Sequence, residues 1–428
     1  MRTRETRDAR NFPSQRHVLP HEDEEIMTEL ADKSRPEPFA QAVPEGPARL
    51  FQVVTGKWAS SGYVRAAALF LAVRLVGIGA LAAMAAPRDL SLGERLRSWD
   101  GWWYLQIAEH NYTGVSNPLD AAGLPYPAAS YGYFPLYPAL TGLLQRLPGV
   151  SYFAAGILVS TLAGIAAATA LYRIGRLVNG PRTGLLLVVL WGAAPMAIAE
   201  SMVMTEALFT AFAAWALVGV LERNWQLAAI ATLFAGLTRS TACVLIAVVV
   251  VAAVIDAWRG RQRGTAIMCA VVAPTGLLGY WAVVAAETGS LTGWQDVELR
   301  GWNTRFDGGA EAWDWITNTL FGPGNTWETM VAFVTIAAIA LAIVCCTGKR
   351  MPWPLAAYAA GVVLLVLCSA GLPALKARFL LPAFALLLPI AIGLARRKTS
   401  TMIIATVAFV LVGSWFSAYS LTVWKYAI

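Results

Sequence analysis

Of 428 residues, 57% are hydrophobic and 14% charged, against roughly 25% charged in an average soluble domain, so the chain reads as an all-α polytopic membrane protein. Its formal charge of +7 is first a topology signal in such a chain. No stretch interleaves aromatics with Lys and Arg in the manner of a nucleic-acid surface, which excludes nucleic acid as a partner.

Residues 1–60 are rich in Arg, Glu, Asp and Pro with few apolar positions. Such a segment cannot bury enough surface to offset its ordering entropy and is read as a disordered tail. It is too long and too acidic for the n-region of a signal peptide. Residues 61–428 read as one transmembrane domain. Apolar stretches at about 66–87, 150–171, 184–199, 205–222, 226–238, 240–257, 264–286, 326–347, 353–371, 379–395 and 400–423 predict about eleven crossings at roughly 20 residues each. The third and fifth are short enough for half-helices or re-entrant segments. Cys243, Cys269, Cys345, Cys346 and Cys368 all fall in apolar stretches without metal or disulfide spacing and read as small packing residues.

Arg173, Arg176 and Arg182, then Arg259, Arg261 and Arg263, then Lys349 and Arg350, then Arg396, Arg397 and Lys398 mark loops on one side. The positive-inside rule makes that side, with the N-terminal tail, cytoplasmic. The opposite face receives a first outer loop at about 88–149, the turn from Glu200 to Glu206, Thr238-Arg239-Ser240, a second large outer loop at about 287–325 and Lys376-Ala377-Arg378. Long aromatic loops are costly to order and are not needed to hold a bundle together, so function is expected on that face.

The first outer loop holds Trp99-Asp100-Gly101-Trp102-Trp103-Tyr104-Leu105-Gln106-Ile107-Ala108-Glu109-His110. Wound as a helix, it places Trp99, Trp102, Trp103, Gln106, Ile107 and His110 on one broad face, with Asp100 and Tyr104 beside it, and it would lie in the membrane interface. Two readings of Asp100 stand side by side: a partly desolvated general base, or a cap on the helix that follows. Glu109 and His110 are candidate substrate ligands, although a histidine at a helix C-terminus also suits the dipole. Tyr131-Gly132-Tyr133-Phe134-Pro135-Leu136-Tyr137-Pro138 predicts a rigid aromatic turn. Glu206 is either a second site carboxylate or a first-turn residue behind a Thr205 cap. Arg239 and Arg378, the latter beside Lys376, sit at the ends of apolar stretches against the basic-residue bias. There they would suit a lipid phosphate or snorkel to headgroups. Arg74, inside the first span, is costly in hydrocarbon and marks a functional or paired site.

Taken in order, Trp99-Asp100-Gly101-Trp102-Trp103-Tyr104 with Ile107-Ala108-Glu109-His110, Phe134-Pro135-Leu136-Tyr137-Pro138, Thr205-Glu206-Ala207-Leu208-Phe209, Arg239-Ser240 and Arg378-Phe379-Leu380-Leu381-Pro382-Ala383 resemble the PIG-V family. These are GPI mannosyltransferases and their bacterial relatives within the GT-C glycosyltransferases. Met204 stands where the family has tyrosine, and Arg239-Ser240-Thr241-Ala242 where it has Arg-Ser-Asn-Gly.

The resemblance implies a GT-C bundle in the bacterial plasma membrane with an extracytoplasmic site. The implied reaction is inverting transfer of a sugar, mannose above all, from a polyprenyl-phosphate donor to a lipid, glycan or protein acceptor. Asp100 is then the base, and Glu206, Arg239, Lys376 and Arg378 contact the phosphate or acceptor. Trp102, Trp103, Tyr104 and Tyr137 stack on sugar or anchor the loop. The reading includes no cofactor. A divalent cation on Asp100, Glu109 and Glu206 is conceivable chemistry, but their spacing selects none. Two alternatives are a flippase for a lipid-linked saccharide, which should carry paired broken helices in two repeated halves, and a noncatalytic subunit that would not require Asp100.

Overall fold

The computed structural model describes residues 61–323 and 325–426, so the tail expected at 1–60 lies outside the described residues. In chain order the helices are α1 (Ser61–Ala85), α2 (Leu92–Leu96), α3 (Asp100–His110), α4 (Leu136–Gln145), α5 (Tyr152–Asn179), α6 (Pro181–Gly192), α7 (Glu206–Leu221), α8 (Trp225–Gly236) and α9 (Ala242–Trp258). They continue as α10 (Arg263–Val272), α11 (Thr275–Thr288), α12 (Gly293–Trp302), α13 (Ala310–Phe321), α14 (Thr326–Thr347), α15 (Trp353–Leu367), α16 (Lys376–Phe379), α17 (Leu388–Ala395) and α18 (Thr399–Thr422). Among the described residues the only extended pairings are two isolated bridges, Leu119 with Pro125 and Phe306 with Ser369.

Five helices are long and apolar enough to cross a membrane: Gly62–Arg88, Tyr152–Asn179, Arg263–Thr288, Thr326–Thr347 and Thr399–Thr422. The pair Pro373–Phe379 and Phe384–Ala395, bent by 73°, makes a sixth if taken as one span. Of the eleven expected crossings, five or six thus meet the length and composition of a full span among the described residues. The remaining five apolar stretches are helices α6, α7, α8, α9 and α15, and α6 and α8 have only 12 residues each. At about 1.5 Å per residue such a helix covers roughly 18 Å, short of a hydrocarbon core of about 30 Å. Broken and short helices persist at that depth when other helices wrap them, and α7 is buried around nearly its whole circumference.

The central pillar is α5. It starts where Ser151 accepts a hydrogen bond from the Ala154 amide and ends at Gly180, whose φ of 104° suits glycine, just before Pro181 opens α6. Its buried face is lined with Ala155, Gly156, Ser160, Ala163, Gly164 and Ala167, small residues that let neighbouring helices approach closely. Gly156 is the position that matters for the site. A Cβ there would meet the Val203 side chain at 3.0 Å, and its carbonyl accepts from Tyr137. Ser160 binds the Met202 carbonyl at 2.7 Å. The Met202–Thr205 turn is thereby held against α5, which fixes the start of α7.

Candidate active site

Asp100 is the first residue of α3, and Trp99 before it has φ 60° and ψ −121°, a costly conformation for a bulky residue. Strain at this point turns the chain abruptly into α3. The Val203 amide donates to the Leu96 carbonyl, and a Cβ at Gly101 would meet the Val203 carbonyl oxygen at 3.1 Å. A side chain at this position would push the start of α3 and the Met202–Thr205 turn slightly apart.

That approach brings together residues from four distant segments. Arg378 Nη2 donates to Asp100 Oδ2 at 2.6 Å. Arg378 Nε lies 3.3 Å from Glu206 Oε1, a Coulombic contact not aligned as a hydrogen bond. Arg239 Nη1 donates to the same Glu206 oxygen at 2.6 Å and to Thr205 Oγ1 at 3.2 Å. Both guanidiniums lie over the Phe379 ring, at 5.8 Å for Arg239 and 5.1 Å for Arg378. The Met204 sulfur, standing where the PIG-V family has tyrosine, receives Arg378 Nη1 at 3.7 Å. Two carboxylates and two guanidiniums thus form a neutral chain, Asp100, Arg378, Glu206, Arg239.

Exposure is graded along this chain: Glu206 and Arg378 keep 1% and 3% of their side-chain surface, Arg239 15% and Asp100 29%. Asp100 is the open end. Tyr133 donates to its Oδ1 at 3.4 Å. Burial, then the Asp100 charge, pushes the Tyr133 phenol well above its ordinary value, so it remains a donor. Around Asp100 stands an aromatic wall in which Trp103 stacks on Tyr133 at 5.2 Å and Trp302 meets Tyr133 edge-on at 5.4 Å.

The other sequence candidates fall elsewhere. The cap reading of Asp100 is corrected, since it is the first helical residue after Trp99. Thr205 occupies a cap position, but its hydroxyl meets Tyr104 and Arg239 and caps nothing. The buried face of α3 is Gly101, Tyr104 and Ile107, and on the tryptophan face, expected at the membrane interface, Trp99 and Trp102 are exposed. Indole bodies suit the membrane interface better than this polar core. Tyr104 packs on Tyr133 and Tyr137. Tyr137 is fully buried with its hydroxyl engaged by Gly156 and Ser160, which makes it a packing residue. Glu109 and His110 lie at the far end of α3, half-exposed and 3.9 Å from each other. Lys376 does not join Arg378: its Nζ donates to the Val366 and Ser369 carbonyls, both at 2.9 Å, and staples the end of α15.

Arg378 reaches its depth because the chain breaks at Leu380-Leu381-Pro382 between α16 and α17. Proline cannot donate there, and Tyr358 satisfies the Pro382 carbonyl at 3.1 Å. Arg74 donates to Ser201 Oγ at 2.8 Å and to the Gly192 carbonyl at 2.6 Å, which ties α1 to the segment leading into α7.

One residue of this site escaped the sequence reading. Glu298 of α12, on the second outer loop, faces Asp100 and Arg239; burial first, then the Asp100 charge, pushes its carboxyl up to about 8. Its signal was available. Trp294, Glu298 and Trp302 recur at four-residue spacing on the inward face of α12, beside the buried Val297 and Gly301.

The chain is similar to the crystal structure of ArnT from Cupriavidus metallidurans bound to undecaprenyl phosphate, with a TM-score of 0.51 over 85% of this chain and 76% of that one. The fold is of the GT-C type. Identity across that match is 15%, so the likeness carries the GT-C architecture and nothing finer. No protein-family profile matches the chain, and no curated protein matches it in sequence.

Proposed function

We propose that the chain is a membrane-embedded inverting glycosyltransferase that moves a sugar from a polyprenyl-phosphate donor to a hydroxyl acceptor on the extracytoplasmic face. The observation that carries this reading is the Asp100–Arg378–Glu206–Arg239 chain: an open carboxylate joined to two guanidiniums that a buried carboxylate holds in place. A GT-C neighbour crystallised with undecaprenyl phosphate supports a donor of that class. The PIG-V resemblance supports mannose as the sugar and a bacterial plasma membrane with the N-terminus cytoplasmic.

Asp100 accepts the proton of the acceptor hydroxyl as that oxygen attacks the anomeric carbon. The bond from that carbon to the phosphate oxygen breaks, the electron pair stays on the phosphate, and the configuration inverts. The leaving phosphate gains one negative charge, which preorganised guanidiniums stabilise without reorganisation. Arg378 couples the two events. Paired with Arg378, the Asp100 carboxylate is occupied; a donor phosphate that shares the fixed guanidinium weakens that pairing and leaves Asp100, the open partner, to turn to the acceptor. Arg239 and Arg378 supply the positive charge that the reaction needs.

The test is transfer from radiolabelled polyprenyl-phosphate mannose in membranes, comparing wild type with Asp100→Asn at matched protein levels. Loss of transfer with donor binding retained supports the reading. Undiminished transfer by Asp100→Asn removes Asp100 as base, and movement of donor across the bilayer without transfer would make the chain a carrier.

A further inference from the structure

Glu298 is the one ionisable side chain beside Asp100 that no residue engages. Its carboxyl has no hydrogen bond to any described residue, and its interactions are Coulombic, with Asp100 and Arg239. It is half-buried, so it is neither solvated like a surface carboxylate nor neutralised like Glu206. Its place is set by packing. A Cβ built on Gly132 would meet the Trp302 ring at 2.5 Å and Glu298 Oε1 at 3.4 Å, so the Gly132 backbone lies directly against both. Trp302 in turn belongs to the aromatic wall with Trp103 and Tyr133. Stacked aromatic faces beside an unengaged carboxyl group suit a pyranose, with its apolar ring face and its rim of hydroxyls.

We propose that Glu298 is a substrate-binding residue whose carboxyl hydrogen-bonds a hydroxyl of the saccharide held at Asp100, beside the Trp103–Tyr133–Trp302 wall. This rests on the transferase reading and assigns the second outer loop a direct part in it. A carboxylate so close to Asp100 would repel it, whereas a carboxylic acid is a donor where Asp100 can only accept. The groups facing Glu298 are Asp100, Arg239 and the phenols of Tyr133 and Tyr280. On an element packed beside α12, Tyr131 is occupied by Glu287, and on α12 itself Arg300 is occupied by Asp120. Asp100 dominates among the charges, and the acid form persists through neutral pH.

The experiment uses full-length protein in detergent, titrated with a short-chain prenyl-phosphate mannose and followed by tryptophan fluorescence, alongside transfer in membranes. Wild-type affinity is expected to weaken as pH rises through about 8. Glu298→Ala should bind about tenfold more weakly at neutral pH, the effect of one lost hydrogen bond. Glu298→Gln, which keeps a donor, should recover most of that loss and bind equally at about pH 6.5 and about pH 9.5. Wild-type affinity unchanged across that range, no measurable binding by wild type, or Glu298→Ala binding as tightly as wild type would overturn the assignment. Wild-type binding without transfer would sink the transferase reading alone, with Glu298 still decided by the titration.

Discussion

Arg378 and Asp100, 278 residues apart in the chain, meet at 2.6 Å with Arg378 almost wholly buried and Asp100 open on one side. The buried partner is held from behind by Glu206 and by the Phe379 ring, so the freedom in this pair belongs to Asp100. A guanidinium suits the place because its planar fork reaches Asp100 through one nitrogen and Glu206 through another, which an ammonium cannot do. Arg378→Lys is expected to lower kcat/KM for sugar transfer by about 10–100-fold, even with the charge kept. Initial rates in membranes, normalised to protein amount, measure this.

Glu206 bridges two guanidiniums with 1% of its side chain exposed. Removing its charge leaves Arg239 and Arg378 buried with one carboxylate between them. Breaking a buried ion pair by deleting one partner costs roughly 3 kcal/mol or more. Glu206→Gln should therefore lower the unfolding midpoint in detergent by several degrees, visible in a thermal scan, while Glu109→Gln at the half-exposed end of α3 should leave it unchanged.

The difference between residues legible in the sequence and those that were not is physical. Arg239 and Arg378 stood out because a guanidinium at the outer end of an apolar stretch is costly unless something holds it, and that cost is written in one dimension. Asp100 stood out by its aromatic neighbours. What holds them is tertiary: Glu206 read equally well as a first-turn acid, which it also is, and only its contacts with Arg239 and Arg378 bring it into the site. Glu298 drew no reading from the sequence, because what sets its place is the tertiary approach of Gly132 to Trp302 and to its own carboxyl. The span count was legible only in part, because hydropathy marks apolar stretches without giving their helix lengths, and α6 and α8 have 12 residues each.

A half-buried carboxyl pushed up to about 8 also shapes stability against pH. In the unfolded chain Glu298 ionises in the ordinary glutamate range, near 4.3, whereas in the folded protein it holds its proton to about 8. The unfolded state therefore binds fewer protons between those values, and this residue's contribution falls as pH rises through that window and levels off above about 8. The midpoint of thermal unfolding measured from acid to alkaline pH should show that decline, and Glu298→Gln should flatten it.

Arg74 offers a test of how the site is braced from beneath. It reaches from α1 to Ser201 and to the Gly192 carbonyl, the two ends of the segment that delivers Glu206. Its Nη2 and both Glu200 oxygens are buried without hydrogen-bond partners, and Glu200 is the carboxylate whose charge it feels. Arg74→Leu alone would strand Glu200 and cut both ties, at a cost of about 3 kcal/mol. Replacing two buried polar groups that face each other's charge by apolar groups of similar size can be nearly neutral, so Arg74→Leu with Glu200→Leu should recover much of the thermal stability. Transfer should recover less, because the Ser201 and Gly192 bonds that place the turn before Glu206 are still missing. Equal recovery of the unfolding midpoint and of the transfer rate would mean that Arg74 only neutralises Glu200; a restored midpoint with a depressed rate would identify it as the residue that positions Glu206.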